Sequence, residues 1–140
     1  MLKNYLDQKQ SKHVLTNSDI SDLELSSKHF SKSTGVDHVY VQQTYSGIPV
    51  FNAIGNFAIK DQQVKFANYK FESNLASRIS NQNPSLTAEE ALSAASNQLG
   101  AGQPSQVFVV KSISDKELVL SKSGVSIDDI PVKLVYHKSE

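Results

Sequence analysis

The chain has 140 residues, enough for one ordinary domain or two very small ones, which argues against a complete multidomain enzyme. Its 14 Lys and Arg balance 14 Asp and Glu, so no broad positive field exists to collect nucleic acid or anionic lipid. Cysteine is absent, which removes disulfides, thiolate–zinc sites and cysteine nucleophiles and leaves the redox compartment unread.

Residues 2 to 12 are polar with Leu2, Tyr5 and Leu6 at helical spacing, and predict one short amphipathic helix. Met1 to Asp7 lacks the apolar segment of a signal peptide, and no apolar run approaches the ~20 residues of a membrane helix. Thr16-Asn17-Ser18-Asp19 supplies cap and turn chemistry. Leu23, Leu25 and Ser27 begin a period-2 pattern that Val36 to Tyr45 continues, predicting strands on both sides of Gly35. Gly47 breaks the run. Ile48 to Lys60 reads as a long strand, with Gly55 a bulge or a close backbone approach. After an Asp61-Gln62 turn, Gln63 to Phe71 forms another strand whose apolar phase changes, so it should bulge or end near Ala67.

Residues 72 to 85 combine Asn, Ser and Pro with few apolar residues and read as a linker, of which 76–85 is the part between modules. Thr87-Ala88-Glu89-Glu90 has capping-box spacing, so a helix starts there, with Ala91, Leu92, Ala94, Ala95 and Leu99 as its apolar stripe and Gly100 or Gly102 as its stop. Strands follow at Gln106 to Ile113, Glu117 to Lys122 and Pro131 to His137. The expectation is an α+β protein of two small modules, each a helix packed on an antiparallel β-meander: 1–75, then 86–140. The second ends at Glu140 directly after an apolar strand and reads as incomplete at its C-terminus.

Catalytic patterns are missing. His13, His29, His38 and His137 are scattered, with no His-Glu-x-x-His to place two imidazoles and a base on one zinc. Glu89-Glu90 in a first helical turn and Asp128-Asp129 beside Pro131 read as dipole and turn residues. Neither Gly-x-Ser-x-Gly, Ser-x-x-Lys nor a Walker loop occurs. No catalytic, cofactor-binding or metal-ligating residue is therefore assigned. One segment stands out: Val39, Val41, Gln43 and Tyr45 share a strand face, which places the Gln43 amide in an apolar row where it must find hydrogen-bond partners. Such a residue either ties down nearby backbone or touches a partner. Gly47 and Pro49 mark the irregular connection beside it.

The same segment, His38-Val39-Tyr40-Val41-Gln42-Gln43-Thr44-Tyr45-Ser46-Gly47-Ile48-Pro49-Val50, resembles the core of the fungalysin/thermolysin propeptide domain, whose pattern runs H-v-x-x-Q-Q-x-x-x-G-x-P-V. The likeness extends through Phe51-Asn52-Ala53 and Asp61-Gln62-Gln63-Val64 to the Asn74-Leu75 region, and Ser18 to Leu23 is similar to that family's start. Pro84 to Leu92 resembles the start of the PepSY-like module that follows in fungalysin-type precursors. Gln62 departs from the glycine usual in that turn. The resemblance implies a non-catalytic, extracellular pro-region that acts as intramolecular chaperone and inhibitor of a metalloprotease domain in cis. Zinc is expected only in that protease domain. It marks Gln43, Gly47, Pro49 and Val50 as family-motif residues. The rival readings are a free-standing extracellular inhibitor or binding module acting in trans, and a small hydrolase.

Overall fold

In the computed structural model, which describes residues 2, 4–6, 15–79 and 83–138, the fold is α+β with two antiparallel sheets. The chain divides into two units, residues 1–80 with 135–140, and residues 81–134.

In the first unit, Leu2 and residues 4–6 are helical, while the rest of the predicted 2–12 helix lies outside the described residues. Helix α1 (Asn17–Ile20) leads into strands β1 (Glu24–Ser31), β2 (Val36–Tyr45), β3 (Ile48–Lys60) and β4 (Gln63–Tyr69), hydrogen-bonded in the order β1-β2-β3-β4. Period-2 patterning dictates which face is covered. Val39 and Val41 of β2 and Phe57 of β3 point to one side, where Leu6, Leu15 and Ile20 bury them. Each large side chain so buried contributes on the order of 1.5–3 kcal/mol. Gly55 stands there for space: a Cβ would lie 2.7 Å from the Phe57 ring and 2.8 Å from the Phe71 ring. The close approach is the observed alternative, since the register runs through Gly55 unbroken on both sides.

One expectation is sharpened and one changes. The phase shift in β4 is a bulge, as expected near Ala67, and it falls at Lys65, because Ala58 pairs with Phe66 and Ile59 with Val64, one residue being skipped. Residues 72–79 are folded into this unit rather than forming linker: α2 (Leu75–Arg78) follows β4, and Leu75 joins Val50 and Ala53 in a second apolar cluster. Composition misleads here because the backbone of Glu72, Asn74 and Leu75 is held by distant side chains, described below.

In the second unit, α3 (Ala88–Gln98) starts as its capping box requires: Thr87 Oγ1 accepts from the Glu90 amide at 3.2 Å, and the Thr87 amide donates to Glu90 Oε2 at 2.8 Å. Gly100, at φ +74°, ends it, with the Ala101 amide donating to the Ser96 carbonyl. The expected apolar stripe is not what is buried; Ser96 is, its hydroxyl donating to Gly102 O at 2.7 Å, while Leu99 is 84% exposed. Strands β5 (Val109–Ser114), β6 (Glu117–Leu120) and β7 (Ile130–Lys133) form a sheet in that order.

All three are shorter than their patterns predict. Before β5, the Ser121 amide still donates to Phe108 O, but the Phe108 amide is taken by the Ser121 hydroxyl, which itself donates to Gln106 O, so a side chain substitutes for half of the ladder exchange. β6 stops where Ser121 bonds Ser123 and Ser123 turns to positive φ. β7 stops at Lys133, and residues 135–138 belong to the first unit, where Tyr136 pairs with Val50 of β3 in a parallel bridge.

Candidate functional site

The segment singled out by sequence lies at the centre of the first unit. β2 and β3 are joined by a two-residue turn, Ser46-Gly47, with φ of +50° and +77° and Tyr45 opposite Ile48. Positive φ at both central residues gives a hairpin turn that matches strand twist, which is the demand Gly47 meets. Beyond the turn the register jumps: Thr44 opposes Pro49, yet Gln42 opposes Ile54. β3 therefore bows outward over 50–53, with Asn52 at φ +64°.

The two glutamines hold this irregular place from opposite sides. Gln42 Nε2 reaches into the bow and lies 2.7 Å from Val50 O, 3.0 Å from Gln43 O and 3.2 Å from Ala53 O. Gln43 is fully buried. Its Nε2 donates to Asp19 O and Glu72 O, both at 2.9 Å, and its Oε1 accepts from the Glu72 amide at 2.8 Å. An amide in an apolar row is tolerable only because both N–H groups and the oxygen are so engaged. Thr44, also buried, donates its hydroxyl to Asp22 O.

Asp19 completes the network from α1. Its side chain is fully buried, with Oδ2 accepting from the Thr16 and Asn74 amides and Oδ1 from the Leu75 amide, each at 2.8 Å. One carboxylate thus caps α1 and seizes the entry of α2, with Asn74 held at φ +57°. Gln43 and Asp19 together fasten α1, β2 and the 72–75 segment to one another. The Arg78 Nη1–Glu72 Oε2 pair at 2.9 Å and Lys138 Nζ–Glu72 at 3.6 Å lie more openly and add little.

The other residues singled out by sequence surround this clamp. Pro49 O accepts from the Tyr136 amide and the Phe51 amide donates to Tyr136 O, both at 2.8 Å, so the bow of β3 has its own partner segment. Val50 is buried with Ala53 and Leu75, against Tyr45, Ile79 and Tyr136. Burial raises the Tyr136 phenol above the usual 10.0, with Tyr45 adding to it; burial likewise raises Tyr69, with Tyr5 adding. Gly47 is exposed at the tip of the turn.

Two of the scattered histidines meet across strands: His29 pairs with His38, ring centroids 6.4 Å apart and nearly stacked. His137 stacks on Phe51 at 5.3 Å. Among the described residues, no three His, Asp or Glu side chains come together as metal ligands, and no helix is long and apolar enough to cross a membrane. What the arrangement does chemically is hold backbone. Sequence reasoning missed Gln42, Asp19 and the amides of residues 72–75. Thr16-x-x-Asp19 spacing announces the local half of the Asp19 role, but nothing local announces its bonds to Asn74 and Leu75.

Residues 21–71 match the family model described as the Fungalysin/Thermolysin Propeptide Motif. No curated protein and no solved structure matches the chain. The matched stretch contains all four strands of the first sheet and the whole Gln42-Gln43 segment, while Asp19 and the 72–75 amides flank it.

Proposed function

We propose that this chain is the pro-region of a fungalysin/thermolysin-type zinc metalloprotease, acting in cis as intramolecular chaperone and inhibitor of the protease domain. The carrying observation is the family match over residues 21–71, which coincides with a sheet whose Gln42 and Gln43 are engaged internally. In this reading these 140 residues are extracellular and non-catalytic, and zinc belongs to the protease domain alone. Gln43, Pro49 and Val50 shape the domain that the protease meets, and the exposed Ser46-Gly47 turn is the motif's accessible end. Residues 86–134 act as a PepSY-like companion module.

The physical requirements of the role are modest. Attachment in cis supplies an effective concentration in the millimolar range for short linkers, so a small interface suffices while the chain is joined and lets go once it is cut. The test is to express a fungalysin-type protease domain with this chain fused ahead of it, with the chain added separately, and without it. The expected result is a higher yield of active protease with the fusion and slowed peptide hydrolysis before cleavage. Equal yields and equal rates in all three arms would overturn the proposal. Inhibition only by the separate chain would favour an inhibitor acting in trans.

A further inference from the structure

One face of the first sheet is covered by Leu6, Leu15 and Ile20; the other carries a shallow cleft of about 440 Å³ that the proposed function does not use. Its floor is a cross-strand row, Tyr40 of β2 opposite Asn56 of β3 opposite Asn68 of β4. Neighbouring strands lie roughly 4.8 Å apart, so this row spans about 10 Å. Ile54, Asn52 from the bow of β3, and Lys70 make the rim. Asparagine is disfavoured in strands, where it neither packs well nor serves the ladder with its side chain. Here two stand directly opposite each other and a third sits on the rim, with none of the three carboxamides engaged by another described residue. Tyr40 is 41% exposed beside them.

We propose that this cleft is a binding site for a neutral oligosaccharide. The composition selects that class of ligand. Each carboxamide offers a donor pair and an acceptor, the combination that meets vicinal hydroxyls, which donate and accept at once. The Tyr40 ring supplies an apolar platform with a polar tip for the C–H face of a sugar ring. Among the described residues no carboxylate lines the cleft and Lys70 is its one cation, so neither a polycation nor a phosphate ester finds the charge it needs. The floor lies on paired strands rather than loops, which keeps the amides in place before a ligand arrives.

The test uses the whole chain labelled with nitrogen-15, titrated with cellohexaose, chitohexaose and mannohexaose while backbone and side-chain amide resonances are followed. The expected result is saturable movement of the Asn56 and Asn68 side-chain amides and of the Tyr40 backbone amide with at least one of these sugars. Tyr40→Ala should weaken that binding by about tenfold or more, and the exposed Asn68→Ala by about fivefold, each in a variant whose remaining spectrum is unchanged. No movement with any of the three sugars, or movement confined to residues outside the cleft, would overturn the proposal. So would displacement of these same amides by unstructured peptide but not by sugar.

Discussion

Replacing Gln43 with leucine keeps the volume in its apolar row and deletes three hydrogen bonds, to Asp19 O, Glu72 O and the Glu72 amide. At about 1 kcal/mol for each neutral bond the loss is roughly 3 kcal/mol, and stranding any of those backbone groups away from water adds to it. The Asp19 carbonyl has the least recourse, because its residue is fully buried. For a domain of this size 1 kcal/mol corresponds to roughly 4–8 °C, so the first unit should melt about 12–24 °C lower in Gln43→Leu. The assay is favourable. All five tyrosines lie in the first unit and there is no tryptophan, so near-UV circular dichroism of the tyrosines follows that unit alone. Gln43→Glu is the informative companion: it keeps an acceptor for the Glu72 amide but sets a buried carboxylate against two carbonyls, and should be at least as damaging. A loss below about 1 kcal/mol in Gln43→Leu would refute the reasoning, since water or a small backbone shift would then be replacing the amide at no cost.

Three further outcomes are expected. Asp19→Asn turns an all-acceptor group toward three amide donors into one that carries donors itself, and should cost about 2–4 kcal/mol in the same melt, with the amides of Asn74 and Leu75 losing hydrogen-exchange protection. Gln62 sits at φ +61° in the β3–β4 turn, a conformation that penalises an L side chain, so Gln62→Gly should raise stability by about 0.5–1 kcal/mol in urea titration. Tyr69 and Tyr136 hold their protons above the usual 10.0, so the unfolded chain releases them first; their contribution to stability is complete below pH 10 and is lost as pH rises through the folded values. Spectrophotometric titration of phenolate should therefore show Tyr69 and Tyr136 ionising above the usual 10.0 in the native protein, a delay that disappears in urea.

Much of the first sheet was legible because its signals are local. The Ile48–Lys60 strand is where its pattern places it, the Asp61-Gln62 turn joins β3 to β4, and the Thr87–Glu90 box opens α3, each set by residues within a few positions of one another. The position of Gln43 in an apolar row was legible for the same reason. Its partners were not. Asp19 and Glu72 lie 24 and 29 residues away, and no periodicity records a bond across that distance. Residues 72–79 were misread on the same account, since a segment whose backbone is held by distant side chains can have the composition of a linker. The start of β5 and the end of β6 were overrun because Ser121 and Ser123 compete with the ladder by side chain, a choice that hydrophobic patterning does not carry.

By itself, then, the sequence determined the fold class, the hairpin turns and the position of an amide that had to be satisfied, because these follow from near-neighbour sterics and burial. Only the tertiary structure decided that Asp19 seizes the amides of Asn74 and Leu75, that Gln42 closes the bow of β3, that Tyr136 pairs with Val50 and that Asn56 meets Asn68 on an open face. The first three choices are made when collapse leaves a buried or half-buried donor or acceptor a partner within reach, and the last follows from the strand register.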